Sequence, residues 1–510
     1  MVLEKNIPGT ELDFFSVFKS TTSLKVRKGD SWFKKGLQKV VNGSGHEATK
    51  RAALVVATLS ALLTPFMGSA ANIALPTIAR EFALDAVTLS WVATSYLLAA
   101  VAFLVPFGRI ADIYGRKKVF LFGTIIYTVA SLLSALSFSA PVLIFSRVIQ
   151  GIGGSMIFAT GVAILTSVYP PNERGRVLGI NVASVYLGLS IGPFLGGFLT
   201  EHFGWRSIFW AVVPLGGLII LVTLGKLKGE WMEAQGEKFD YTGSLLNCLM
   251  FLALIYGFSL LPATSGWYLV LLGLLGIFLF VKYELSTESP VIDIRLFRNN
   301  SSFAFSNLAA LINYSATFAV GFILSLYLQY LKGLSAQRAG LILVSQPVVQ
   351  AVFSPFAGRL SDQIEPRIIA SAGMGITFIG LVLLTFLRAN TPLWFIILSL
   401  IVLGLGFAFF SSPNTNAIMS AVDRKFYGVA SGILGTMRLT GQMLSMGIIM
   451  LILALFMGRT QITSQNLPLF LKSSQIAFIV FAVLCFWGIF ASLARGNMHD
   501  SERSSQETSD

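Results

Sequence analysis

Two arginines stand where this chain offers nothing obvious to balance them. Arg147 lies in the middle of "PVLIFSRVIQGIGGSMIFATG" and Arg438 lies in "GTMRLTGQM", each inside a long apolar stretch. A guanidinium at the centre of a bilayer costs about 2.5–3.5 kcal/mol on insertion scales, so each must face water, a polar neighbour or a bound molecule. The natural partner is a carboxylate on a neighbouring span, an arrangement able to hold a proton or a cation. The sequence supplies none at depth: Asp85, Asp112, Glu173, Glu201, Asp240, Glu284, Asp362 and Asp423 all fall at predicted span rims or in loops. The deep polar chemistry is therefore cationic and neutral, which favours neutral or anionic amphiphiles over lipophilic cations.

Helices must position these groups. Of 510 residues 55% are hydrophobic and 12% charged, with the charges gathered in short clusters. The runs between them reach about 18 residues or more, enough to cross about 30 Å of hydrocarbon as helices. A backbone in lipid must satisfy itself, so such runs form an α-helical bundle; the alternating ten-residue strands of a β-barrel are not seen. The scan gives about fourteen spans, over 53–75, 89–110, 118–137, 141–168, 177–200, 207–225, 241–262, 267–284, 303–330, 338–358, 368–387, 393–420, 427–457 and 474–494. The chain reads as an all-α integral membrane protein.

The formal charge of +13 is topological. Most Lys and Arg fall in loops on the side of the two termini, which the positive-inside rule makes cytoplasmic, in a cell (cytoplasmic) membrane. Nucleic acid is not the partner implied. Cys248 and Cys485 sit in separate spans without metal or redox spacing, so no metal and no cofactor is expected. The first apolar run begins near residue 52 behind a basic leader, so no cleavable signal peptide is read.

Five parts follow along the chain. Residues 1–51 form a basic leader in which "SWFKKGLQKVVNG" sets Trp32, Phe33, Leu37, Val40 and Val41 against Lys34, Lys35 and Lys39. It reads as an interfacial helix resting on anionic lipid through residues 31–42, the alternative being a partly disordered polar extension. "GRIADIYGRKKV" from Gly108 recurs as "GRLSDQIEPRII" from Gly358, eight spans later. Two six-span halves, 52–228 and 299–495, separated by a two-span insert, 229–298, explain that offset, with a disordered tail at 496–510.

The loop between spans 2 and 3 carries Gly108, Asp112, Gly115 and Arg116 in the order Gly-x-x-x-Asp-x-x-Gly-Arg, echoed by Gly358 and Asp362. It resembles the signature loop of the major facilitator superfamily. "LIFSRVIQGIGG" resembles that family's Arg-x-x-Gln-Gly motif through Arg147, Gln150 and Gly151. "LGLSIGPFLGGFL" resembles the Gly-Pro segment of its antiporters through Gly188, Gly192, Pro193, Gly196 and Gly197. Together with "WVATSYLL", "WRSIFWAVVPLG" and "ESPVIDIRLFRN", the span count resembles the drug:proton antiporter (EmrB/QacA-like) branch over roughly residues 51–495. The resemblance implies two bundles rocking about a central cavity, a small-molecule substrate, a proton as coupling ion and the direction of export. It places cavity-lining helices at spans 1, 2, 4, 5, 9, 10, 12 and 13. Their deep polar groups are Ser69, Asn72, Arg147, Gln150, Asn313, Tyr314, Gln346, Gln350, Asn414, Asn416, Arg438 and Gln442.

One departure stands out. The branch opens with an Asp five residues before an Asn-x-Ala-Leu-Pro run; here the run is Asn72 to Pro76 and the Asp position is Met67. Methionine neither binds a proton nor pairs with Arg147, although its thioether suits an apolar, adaptable pocket. Arg147 is then expected to turn to cavity water, Asn72, Gln150 or the substrate. Other classes find less support. No phosphate-cradling Gly-rich Lys loop exists for an ATP-driven pump, and no ring of like residues for a channel. The three His, His46, His202 and His499, lie in tails or a loop, which leaves no enzyme site at depth. A non-transporting receptor or scaffold would want larger loop domains than these. Oligomeric state is not read from the sequence.

Overall fold

The computed structural model describes residues 31–287, 290–291, 295–361, 363–422 and 427–495, with 31–46 described in backbone alone. Asp362, the 496–510 tail and residues 1–30 of the leader lie outside the described residues, as do the side chains of residues 31–42, for which lipid contact was expected. The body considered below is Lys50 onward, which forms one compact unit.

Among the described residues fourteen helices are long and apolar enough to cross a membrane. We number them in order: α1 Ser31–Phe82, α2 Ala86–Tyr114, α3 Arg116–Ala135, α4 Ala140–Val168, α5 Pro171–Phe203, α6 Arg206–Gly225, α7 Tyr241–Leu260 and α8 Thr264–Ser286. After a short turn, Arg295–Asn299, come α9 Ser301–Leu326, α10 in two pieces, α11 Pro366–Thr385, α12 Leu393–Ser420, α13 Tyr427–Phe456 and α14 Leu467–Leu493. The pieces of α10 are Ala336–Leu343 and Ser345–Ser361. They part at Val344 because Pro347, four residues past Leu343, cannot donate to its carbonyl. The last turn of α9 widens into a π-helix over Tyr327–Leu331.

Helices α1–α6 form one six-helix bundle, α9–α14 the other, and α7 with α8 make the insert. An even number of spans puts both ends of the helical body on one face, here called the near face; the opposite face is the distal one. Within the first bundle, glycines bring backbones together. A Cβ on Gly151 of α4 would fall 2.4 Å from the Tyr96 carbonyl of α2, and one on Gly153 would fall 2.6 Å from the Tyr127 nitrogen of α3. Such contact replaces the hydrophobic drive that lipid does not provide.

The insert is docked through α7, which touches α2 of the first bundle and α13 of the second. Its anchor follows from one proline. Pro106 inside α2 has no N–H, which orphans the Ala102 carbonyl four residues earlier. Asn247 of α7, fully buried, donates its Nδ2 to that oxygen at 2.8 Å. The Cys248 thiol reaches the same oxygen at 3.2 Å.

This arrangement predicts a coupled pair. Asn247→Ala should cost about 1 kcal/mol of stability, read as a lower thermal unfolding midpoint in detergent. In a Pro106→Ala background, where the helix can supply its own donor, the same change should cost little. Equal costs in both backgrounds would refute the anchor.

Candidate functional site

The two deep arginines lie in different surroundings. Arg147 is buried inside the first bundle at 1% exposure. Its Nε donates to the Val92 carbonyl of α2 at 3.1 Å and its Nη1 to Gln150 Oε1, one turn along α4. Gln150 passes the polarity on, donating Nε2 to Ser131 Oγ of α3 at 2.7 Å. The guanidinium also lies over the Tyr96 ring at 4.7 Å and near the Phe209 ring of α6 at 5.9 Å, favourable cation–π placements. Of the partners expected from sequence, Gln150 is the one that answers. The open face anticipated for Arg147 is not seen, because helices of its own bundle enclose it, with acceptors for its Nε and Nη1 from α2 and α4.

Arg438 is different. On α13 it is partly exposed, lies over the Tyr314 ring of α9 at 5.2 Å, and has a buried Nε without an acceptor. Tyr314 in turn meets Phe407 of α12 edge-on at 5.3 Å. From the first bundle, Tyr186 of α5 crosses to Ser411 Oγ of α12 at 3.1 Å.

The remaining candidates divide by burial. Met67, Asn72, Gln150, Asn313, Tyr314 and Asn414 are buried, while Asn416 and Gln442, like Arg438, are partly exposed. Asn416 donates to Ser361 Oγ at the end of α10, 2.7 Å away. Met67 offers no surface at all, so the position of the absent acid is closed in this state. The structure thus gathers Arg147 with Gln150, and Arg438 with Tyr314, into two separate groups.

Hydrogen bonds between the bundles gather at the distal end. Pro76 inside α1 orphans the Asn72 carbonyl, and Ser325 Oγ of α9 donates to it at 2.7 Å. One turn on, Gln329 in the π-helical turn donates to the Ile73 carbonyl at 3.0 Å. The Ala86 nitrogen pairs with the Thr460 carbonyl, and Gln461 Nε2 with the Ala83 carbonyl. The Gly-Pro segment serves two contacts. Gly188, Gly192 and Gly196 face α1, where a Cβ on Gly188 would fall 2.3 Å from the Leu62 carbonyl. Pro193 and Gly197 face α10 of the other bundle, and a Cβ on Gly340 would fall 2.1 Å from the Pro193 carbonyl. Toward the near face, by contrast, Gly175 and Gly179 of α5 have open space where a side chain would begin.

At the near face the loop after α2 is held by the linker after α6. Gly115 there has φ +123°, a conformation that favours glycine. Arg116 pairs with Asp112 and with Glu233, each at 2.7 Å, and donates to Ser167 Oγ at 2.6 Å. Glu237 pairs with Arg109, and Glu230 accepts from the Lys117 backbone at 2.7 Å. Gly108 approaches Ala159 of α4, and Gly358 in the repeat approaches Ser412 of α12. Sequence reasoning missed Glu230, Glu233 and Glu237; their spacing in "GEWMEAQGEKF" opposite a basic loop was the available signal. It also missed Tyr96, Tyr186, Ser325 and Gln329. Among the described residues no cluster of His, Cys, Asp and Glu could hold a metal ion.

Two outcomes are expected. Gln150→Leu should destabilise the protein by about 2 kcal/mol through the stranded guanidinium; Arg147→Met with Gln150→Leu should cost less than Gln150→Leu alone. A double variant worse than the single, in thermal unfolding, contradicts this account. Gly340→Val should part α5 from α10, so that Gly68→Cys, with Cys248 and Cys485 replaced by Ser, reacts with an impermeant thiol reagent from the distal side. Unchanged labelling would show that the seal lies elsewhere.

The family comparison agrees with this architecture. The model of the Major Facilitator Superfamily matches residues 57–291 and 307–509. The riboflavin transporter RibZ of Clostridioides difficile (strain 630) is 31% identical over 442 residues, covering 86% of this chain and 96% of that protein. The multidrug resistance protein Stp of Mycobacterium tuberculosis (strain CDC 1551 / Oshkosh) is 31% identical over 395 residues, 76% of this chain and 73% of that one. A bacterial homologue of the human lysosomal transporter Spinster, solved inward-facing and unoccupied, superposes with a TM-score of 0.61 at 16% identity, over 88% of this chain and 97% of that one. The human organic anion transporter MFSD10 (TETRAN) gives 0.60 at 13%, over 87% and 99%. With its two bundles and a family match over most of its length, this chain belongs to the major facilitator superfamily, a transporter of small molecules and not an enzyme.

Proposed function

We propose that the protein exports small amphiphilic molecules, drugs among them, from the cell by alternating access, in exchange for protons. The observation that carries this reading is the asymmetry of the two bundles. They are joined by hydrogen bonds and glycine contacts at the distal face and have open space along α5 at the near face. Two bundles joined by hydrogen bonds at one face and, among the described residues, not at the other fit one of the two states alternation requires. The near face is the cytoplasmic one on the positive-inside argument, with both termini inside and the 31–42 segment resting on anionic lipid. Export and breadth of substrate draw support from the relative named a multidrug resistance protein and from the Gly-Pro segment.

A second reading has its own observation. Met67 stands where the branch carries its acid and is buried, so transport without coupling through α1 is the competing description. Its substrates would be neutral or anionic solutes, and the relative named a riboflavin transporter keeps non-drug solutes in view.

One experiment separates the two. Purified protein in proteoliposomes, loaded with a fluorescent amphiphile, is given a pH gradient and then an uncoupler. Proton exchange predicts uphill movement that collapses with the uncoupler and is matched by proton flux. Movement that ignores the gradient refutes proton exchange and leaves the second reading.

A further inference from the structure

The two deep arginines differ in one respect that bears on what is carried. Arg147 has its acceptors within its own bundle, whereas Arg438, among the described residues, pairs with no carboxylate and keeps a buried Nε without an acceptor. It lies eleven residues into α13, about 16 Å along the helix, near the middle of about 30 Å of hydrocarbon. A positive charge held there without a counter-ion is costly and marks a site by default.

The helix face around it is cleared. Ser431, Gly435, Arg438 and Gln442 follow one another at helical spacing, so they share a face, and each is partly exposed. A Cβ on Gly435 would meet nothing within 4 Å. Other glycines of the bundles, such as Gly441 one turn further along the same helix, are needed for contact: a Cβ there would fall 2.6 Å from the Leu311 carbonyl. Gly435 instead leaves a space beside the guanidinium. Two tyrosines flank the charge, Tyr314 beneath it and Tyr186, which comes from the opposite bundle and is tied to Ser411.

Resting on the transport reading, we infer that Arg438 binds an anionic group of the transported molecule, a carboxylate or phosphate joined to an apolar body, and that Gly435 makes room for that body. An oxyanion would take the donors that Tyr314 cannot satisfy, and the bond would be strong because it is charge-assisted in a site of low dielectric. Tyr186 then gives the second bundle's arginine a wall from the first bundle, so the occupied site spans both moving parts.

The test uses three probes on one scaffold: 1-naphthylacetate, 1-naphthylacetamide and 1-naphthylethylammonium. Binding is measured by thermal shift of the full-length protein in detergent, and flux separately in proteoliposomes. The wild type should bind the carboxylate about tenfold more tightly than the other two. Arg438→Gln should erase that preference and Arg438→Lys should keep part of it. Gly435→Leu should weaken the carboxylate about tenfold while leaving the unfolding midpoint of the empty protein in place, which keeps the idea testable should Arg438→Gln fail to fold. Preference for the amide or the ammonium, no binding of any probe, or a preference that survives Arg438→Gln or Gly435→Leu would overturn the inference. Flux that carries all three probes equally leaves the transport reading standing and removes this one; selective binding without any flux does the reverse.

Discussion

Hydrocarbon donates and accepts no hydrogen bonds, and that single constraint organises this molecule. Every carbonyl a proline leaves unpaired must find a donor in protein, and every charge must find acceptors. Pro106 in α2 exposes the Ala102 oxygen, which Asn247 takes up, and the insert is thereby joined to the first bundle. Pro76 in α1 exposes the Asn72 oxygen, which Ser325 takes up, and the two bundles are thereby joined at the distal face. Gaps in helices have become the joints between units.

The same constraint explains the contrast between the arginines. Arg147 is costly alone, yet its cost is met by a backbone oxygen, an amide and two aromatic faces drawn from two neighbouring helices and its own. It behaves as a structural rivet within one bundle. Arg438 stands at the junction of the bundles with its charge uncompensated by any described acid. Depth in the membrane is common to both; the number of acceptors within reach is what separates them.

Much of the fold was legible because hydropathy reports membrane crossings directly. Each apolar run became a helix, although the break in α10 at Val344 was not anticipated in the span 338–358. What the sequence withheld was partnership. Arg147's neighbours Val92, Tyr96, Ser131 and Phe209 are spread over three helices, and one of them acts through its backbone, which no residue type reveals. Gln150, one turn along the same helix, was legible as a partner; the Val92 carbonyl was not. The acidic linker after α6 was overlooked for a related reason, since its charges read as solvated until the loop after α2 is seen beneath them.

The distal seal has an evolutionary consequence. Its acceptors on α1 are main-chain oxygens, and substitution cannot delete a main-chain oxygen. Side chains along that stretch of α1 can drift without touching the latch, so the donors Ser325 and Gln329 have no co-varying partner residues to betray them. Only the loss of Pro76, which would give the Asn72 oxygen back to its own helix, reaches the latch from the α1 side. A contact built on backbone is mutationally quiet, leaving the lineage free to remodel the side chains around it without losing it.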